Sequence, residues 1–154
     1  MTSIALLTEF FSSTGKVLSE LMLLKKKTSG STRKLVSEIK DNFYYLDLIV
    51  KDGVSIDHVI EKLSVSIFKE LEAEGFDFDK LKKKRIELPK SLESTNLSSW
   101  QGKSTSQLVE SIYEKINELI IKYPIVSDHN NYRWSVRIIN IHRRIELLLL
   151  HVRS

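Results

Sequence analysis

The chain has 154 residues, of which 42% are hydrophobic and 29% are charged, and its net charge is +4. This length suits one domain that folds without a metal or a disulfide, and the composition excludes an intrinsically disordered chain. Because the sequence contains no Cys, it also excludes disulfides, thiolate zinc sites and cysteine nucleophiles.

The sequence contains no segment that is typical of a membrane span or a signal peptide. No apolar run approaches the roughly 20 residues that a bilayer requires. Glu9, Lys16 and Glu20 interrupt the apolar N-terminal segment, and no basic stretch precedes it. We therefore expect a cytoplasmic protein that has no membrane partner.

Apolar residues spaced three and four positions apart predict three helices in the first half of the chain. Their predicted ranges are 3–27, 32–51 and about 56–74. Ser31 is the expected N-cap of the second helix, and a serine or aspartate near residue 55 is the expected cap of the third. A glycine follows each of the three ranges, which is typical of a helix end.

The segment 75–103 has no clear periodicity, and we predict a long, semi-ordered loop within the domain. A short helix is expected around residues 77–85. Trp100 stands in a polar part of this loop, where an exposed indole would be costly. We expect it to anchor the loop on the helical bundle, and the alternative is a hot spot for a partner.

Two more helices are predicted in the last third of the chain. The fourth runs over 105–123, with Ser104 and Gln107 as a capping box at its start and Pro124 at its end. The fifth begins near residue 132 and runs over the remaining residues. The sequence therefore predicts an all-α fold, a single helical-bundle domain of about five helices over residues 1–154.

The fifth predicted helix is apolar on two opposite faces. One face contains Trp134, Ile138, Ile141, Ile145, Leu148 and Val152, and the other contains Val136, Ile139, Leu147 and Leu150. A helix that is apolar nearly all round must be buried nearly all round, either at the centre of its own bundle or between two chains. The second face is therefore the candidate interface with a second copy of the chain or with a larger protein.

The same helix carries the net charge of the whole chain. From Arg133 onward the sequence contains five Arg, no Lys and one acid, Glu146. Three of these arginines follow the seam between the two apolar faces, namely Arg133, Arg137 and Arg144. They could pair with an acidic stripe on the fourth helix, which consists of Glu110, Glu114 and Glu118. Alternatively, they contact an acidic partner or a nucleic acid.

Two pairs of arginine and histidine also lie on this helix. Four residues separate Arg137 from His142, and six separate Arg144 from His151. This spacing resembles the short motif of HEPN ribonucleases, which are small helical bundles that often dimerise. The resemblance covers this helix alone and implies metal-independent RNA cleavage in a toxin or defence system, with His as acid/base and Arg holding the phosphate. The alternative is that both histidines simply flank the core.

No other motif indicates catalysis. Gly102-Lys103-Ser104-Thr105 resembles the end of a phosphate-binding loop but lacks the first glycine of that motif, and the four histidines show no metal-binding spacing. We therefore predict no cofactor and no metal. The leading interpretation is a non-enzymatic interaction module that self-associates or docks on a larger protein through its last helix. The alternatives are a HEPN-like ribonuclease and a helical protein that binds nucleic acid.

Overall fold

A computed structural model describes residues 14–154, and helices account for most of them. The α-helices are α1 (Thr14–Lys27), α2 (Gly30–Asp52), α3 (Ile56–Val59), α4 (Ser66–Ala73), α5 (Thr105–Val126) and α6 (Trp134–Arg153). Short 3-10 turns occupy Ile60–Lys62, Phe78–Leu81, Lys90–Leu92, Ser98–Trp100 and Asn130–Tyr132. Residues 14–154 contain no β-strand, and the predicted all-α fold is confirmed.

Most predicted helices are observed with small shifts at their ends. The part of the first predicted helix that spans residues 3–13 lies outside the described residues. The N-cap position of α2 is occupied by Ser29 rather than by the predicted Ser31. The predicted end at Pro124 is also wrong, because α5 continues to Val126. A proline in the last turn removes only one backbone donor, so the helix can pass it.

The third predicted helix, over 56–74, is wrong as a continuous element because two side chains of α2 interrupt it. Asn42 donates its Nδ2–H to the Ser64 carbonyl at 2.7 Å and accepts the Ser64 N–H at 2.9 Å. Glu38 then accepts the backbone N–H groups of Ile67 at 2.9 Å and of Phe68 at 3.1 Å. Because these side chains satisfy the free backbone groups, the helix can break and restart as α4.

The start of α5 is the predicted capping box. The Ser104 hydroxyl accepts the Gln107 N–H at 3.2 Å, and the Gln107 side-chain oxygen accepts the Ser104 N–H at 2.9 Å. Two otherwise free donors are therefore satisfied at this end of the helix. The capping box fixes the point at which the chain leaves the segment 75–103 and enters the bundle.

α6 packs against α1, α2 and α5, and its own chain covers both of its apolar faces over much of its length. On the first face Trp134, Ile138, Ile141, Ile145 and Leu148 are all buried. On the second face Leu147 is only 1% exposed. The helix therefore takes the central place in its bundle that the two-faced pattern allows.

The segment 75–103 is irregular, but it is fixed to the bundle. Ile86 donates its N–H to the Lys103 carbonyl and accepts the Gly102 N–H, both at 2.9 Å. The Leu88 N–H donates to the Gln101 side chain at 2.7 Å. Most of its large apolar side chains are buried, namely Phe78, Ile86, Leu88, Leu92, Leu97 and Trp100. The segment thus holds the Trp100 turn against the bundle, beside α6.

Candidate anion-binding groove

Two adjoining cavities lie where α5 and α6 meet, and they share Asn140 and Arg144 as lining residues. The outer cavity has a volume of about 340 Å³ and lies beside Tyr132 at the start of α6. The inner cavity has a volume of about 320 Å³ and lies between α6 and the Trp100 turn. We call the two together the basic groove. The cations that line it are Lys103, Lys115, Arg133, Arg137, Arg143 and Arg144.

One acid, Glu118, lines the basic groove, and it is already paired. Its carboxylate forms an ion pair with Arg137 and lies 3.7 Å from the Lys122 ammonium. Arg137 also donates its Nε–H to the Tyr132 carbonyl at 2.6 Å. Within the described part of the chain, the other five cations of the groove form no salt bridge. The groove is therefore strongly positive.

Three cations converge on the inner cavity, and its lining contains no carboxylate. The Lys103 ammonium lies 4.7 Å from the centre of the Trp100 ring, and the Arg144 guanidinium lies 6.0 Å from it. Arg143 is only 5% exposed and donates to the Asn96 side chain at 3.0 Å. Its buried Nε has no hydrogen-bond partner among the described residues. The cavity thus concentrates positive charge, which Glu146 and Glu114 offset only in part and from outside its lining.

Burial lowers the pKa of Arg143 and that of Arg144 from the usual arginine value, because burial disfavours the charged form. A nearby carboxylate opposes this effect in each case, Glu146 for Arg143 and Glu114 for Arg144. Neither carboxylate lines the inner cavity. An anion in this cavity would stabilise both guanidinium groups, so the arrangement is chemically suited to bind one.

His142 lies in the core between two carboxylates. Its Nε2 atom is 2.7 Å from Asp47 Oδ1, and its Nδ1 atom is 3.0 Å from Glu146 Oε1. The ring stacks on Phe43 at 4.6 Å, and the residue is 3% exposed. Burial alone would lower the pKa of His142, but the hydrogen bonds to both carboxylates outweigh burial and raise it above its usual value.

His151 is also buried, and it has a different environment. The Thr105 hydroxyl donates its single proton to the Lys82 carbonyl at 2.5 Å. Because that proton is used, the hydroxyl oxygen accepts the Nε2–H of His151 at 2.8 Å. Burial and the nearby Lys82 ammonium lower the pKa of His151. This histidine therefore acts as a neutral link between α6 and the start of α5.

Neither predicted pair of arginine and histidine meets in the basic groove. Arg137 and Arg144 line it, whereas His142 and His151 line neither of its cavities. Both ring nitrogens of His142 are engaged with carboxylates in the core. A general acid or base must reach the proton that it transfers. The ribonuclease interpretation therefore gains no support from the single chain and stays a prediction.

The four residues predicted as an interface do not form one exposed patch. Val136 is 43% exposed, whereas Ile139 and Leu150 are partly buried. Leu147 belongs to the core of its own chain. Self-association through these residues stays a prediction, and among them only Val136 offers an exposed side chain.

Sequence reasoning missed the convergence of Asn96, Lys103 and Arg143. In the sequence, Arg143 stands among the apolar residues of the last helix, and Asn96 lies in a segment without periodicity. The available signals were the unusual Trp100 and the nearby Lys103, which precedes a helix. Nothing local in the sequence indicates that these residues lie beside α6.

The described residues show two further features that bear on function. Residues 14–154 contain no group of three His, Asp or Glu placed to hold a metal ion. None of the helices in this range combines the length and the apolar character needed to cross a membrane. Comparisons with protein-family models, curated proteins and solved structures find no match to this chain.

Proposed function

We propose that this protein binds single-stranded nucleic acid along the basic groove, through the phosphate backbone. The observation that carries the proposal is the charge of the groove: six cations line it, and its one acid is already paired. Phosphates supply most of the affinity when a protein binds nucleic acid without sequence preference. Five of the six cations form no salt bridge within the described residues, and a stripe of basic side chains is the surface that such a ligand requires.

The length of the groove suits several phosphates. Arg133, at the N-cap of α6, and Arg144 are separated by about 16 Å of helix rise, since an α-helix rises about 1.5 Å per residue. One strand of a nucleic acid helix carries a phosphate about every 3.4 Å along its axis. A single strand that is not stacked spaces its phosphates more widely than this, so a strand that follows α6 would place at most about four or five phosphates along the basic groove.

The aromatic residues of the groove hold its cations in place. The Arg137 guanidinium lies 5.6 Å from the Tyr132 ring and 5.5 Å from the Trp134 ring. Lys103 and Arg144 approach the Trp100 ring in the same way. Because cations already cover these rings, the rings are less available for stacking on bases. We therefore expect binding that depends on the backbone and only weakly on base sequence.

The concave shape of the groove favours a single strand over a duplex. Proteins that bind duplex DNA by its bases usually insert a protruding helix or ribbon into the major groove. Here the cations line a depression between α5 and α6, which a flexible strand can enter. Single-stranded nucleic acid is commonly bound in such positively charged grooves.

The proposal is tested by fluorescence anisotropy with a labelled oligonucleotide of about 12 nucleotides, within the site sizes that such grooves cover. Arg144→Gln and Lys115→Gln each remove one cation from the groove, and each should weaken binding roughly three- to tenfold. Arg33→Gln is the matched control, because Arg33 is exposed on α2 and does not line the groove. The proposal fails if the control weakens binding as much as the groove variants do.

A further inference from the structure

We infer that the inner cavity holds the terminal phosphate of the bound strand, so that the protein prefers phosphorylated ends. This inference rests on the proposed function, because it assigns one end of the same ligand to one end of the basic groove. It follows from three properties of the inner cavity, namely its charge, its free hydrogen-bond donors and its packed inner wall.

The charge of the inner cavity matches a strand end better than a strand interior. Lys103, Arg143 and Arg144 together supply three positive charges, and the lining contains no carboxylate. A terminal phosphate monoester carries about −1.5 to −2 charges at pH 7, whereas each internal phosphate carries one. Glu146 and Glu114, which lie outside the lining, offset part of the charge of Arg143 and Arg144, and the positive charge that remains suits the doubly charged phosphate of a strand end. In the outer cavity, by contrast, Glu118 reduces the positive charge.

The inner cavity also offers free hydrogen-bond donors. The side chains of Ser99, Ser111 and Asn140 line it and make no hydrogen bond with another described residue. A terminal phosphate has three strong acceptor oxygens, so it can use more of these donors than an internal phosphate can. Arg143 is already oriented by Asn96, which reduces the entropy that binding would cost.

The shape of the inner cavity favours the end of a strand over its interior, because the far wall of the cavity is the protein core. Arg143 is 5% exposed and Trp100 is 8% exposed, so both form part of a packed wall. The volume of about 320 Å³ lies at the lower end of the range for small-molecule sites, about 300–1,000 Å³. It has room for a phosphate with its sugar, and Arg143 and Trp100 close one side of it.

Three unlabelled oligonucleotides of one sequence test this inference. One carries a 5′-phosphate, one a 3′-phosphate and one a hydroxyl at both ends, and each competes with a strand that is labelled at an internal base. We expect one of the two phosphorylated strands to bind roughly tenfold more tightly than the strand with two hydroxyl ends. The strand that binds more tightly shows whether the 5′ end or the 3′ end enters the cavity.

Two variants test whether this difference in affinity arises in the inner cavity. Lys103→Gln removes a cation that lines only the inner cavity, and it should abolish most of the difference between phosphorylated and unphosphorylated strands. Lys115→Gln is the matched change in the outer cavity, and it should weaken all three strands about equally. These lysines are not buried, so both variants are expected to fold.

The outcomes separate this inference from the proposed function. If the three strands bind equally, the inner cavity does not recognise a terminal phosphate, and backbone binding along the groove still stands. If only a phosphorylated strand binds and Lys115→Gln has no effect, the backbone proposal fails while the terminal site stands. If none of the three binds, both proposals are overturned.

Discussion

The Nε2 atom of His142 lies 2.7 Å from Oδ1 of Asp47, and this contact joins α6 to α2 across 95 positions of the chain. The other ring nitrogen contacts Glu146, which is the carboxylate that partly offsets the effect of burial on Arg143. A buried cluster of two acids, a histidine and an arginine therefore lies beside the inner cavity. It fixes the central helix in position and supports the cationic lining of the groove.

We expect the contribution of His142 to stability to decline as the pH rises. Its pKa is raised in the folded state, so protonation stabilises the fold. This contribution is fully present below the unfolded-state pKa of about 6.5 and is lost as the pH rises through the higher folded-state pKa. Urea unfolding of the wild type and of His142→Gln at pH 5.5 to 9 measures it.

The wild-type unfolding free energy should fall over this range relative to that of His142→Gln. His58→Gln is the control, because His58 is exposed on α3. A difference between the wild type and His142→Gln that does not change with pH would show that the imidazole is not held as the charged partner of these carboxylates.

The cap on α4 gives a second prediction. Glu38→Ala removes the acceptor for the Ile67 and Phe68 N–H groups, and it should lower the unfolding free energy by about 2–4 kcal/mol. Asp41→Ala on the same helix removes only an exposed ion pair with Lys40, so its effect should stay below about 1 kcal/mol. Equal losses in urea unfolding would contradict the role assigned to Glu38.

The second face of α6 gives a third prediction. Leu147→Ala should lower the free energy of unfolding by about 2–5 kcal/mol, because the Leu147 side chain lies in the core and is 1% exposed. Val136→Asp should change stability by no more than about 0.5 kcal/mol, because Val136 is exposed. Thermal or urea unfolding measures the stability of both variants. A large loss of stability in Val136→Asp without one in Leu147→Ala would contradict the assignment of Leu147 to the core and Val136 to the surface.

The same Val136→Asp variant tests the predicted self-association. Light scattering over a concentration series gives the mass of the wild type and of the variant. A wild-type dimer that Val136→Asp converts to a monomer would support an interface on this face of α6. A wild-type monomer at every concentration would exclude that interface.

The helices were largely predictable because the core of a bundle imposes a spacing of three and four residues on apolar positions. The capping box at Ser104 was predictable for a similar reason, since all of its partners lie within four positions. The break after α3 was not, because Asn42 is 22 positions from Ser64, and such a distant polar contact leaves no local pattern.

The site was predictable in part. Arg133, Arg137 and Arg144 were expected to contact an anion or the acids of the fourth helix, and all three line the basic groove. Arg137 makes the expected ion pair with Glu118. The inner cavity depends on how the segment 75–103 folds back on α6, and an irregular segment carries no periodic signal from which that path could be inferred.

The dependence of affinity on salt concentration tests the central claim most directly. Binding of the labelled strand is measured by anisotropy between about 50 and 200 mM salt, where contacts to phosphates change affinity strongly. If the basic groove neutralises about four phosphates, a plot of the logarithm of the association constant against the logarithm of the salt concentration should have a slope of about −3. In Arg144→Gln, which lacks one cation, this slope should be less steep by about 0.7. A slope near zero, or no binding at the lowest salt concentration, would contradict the account.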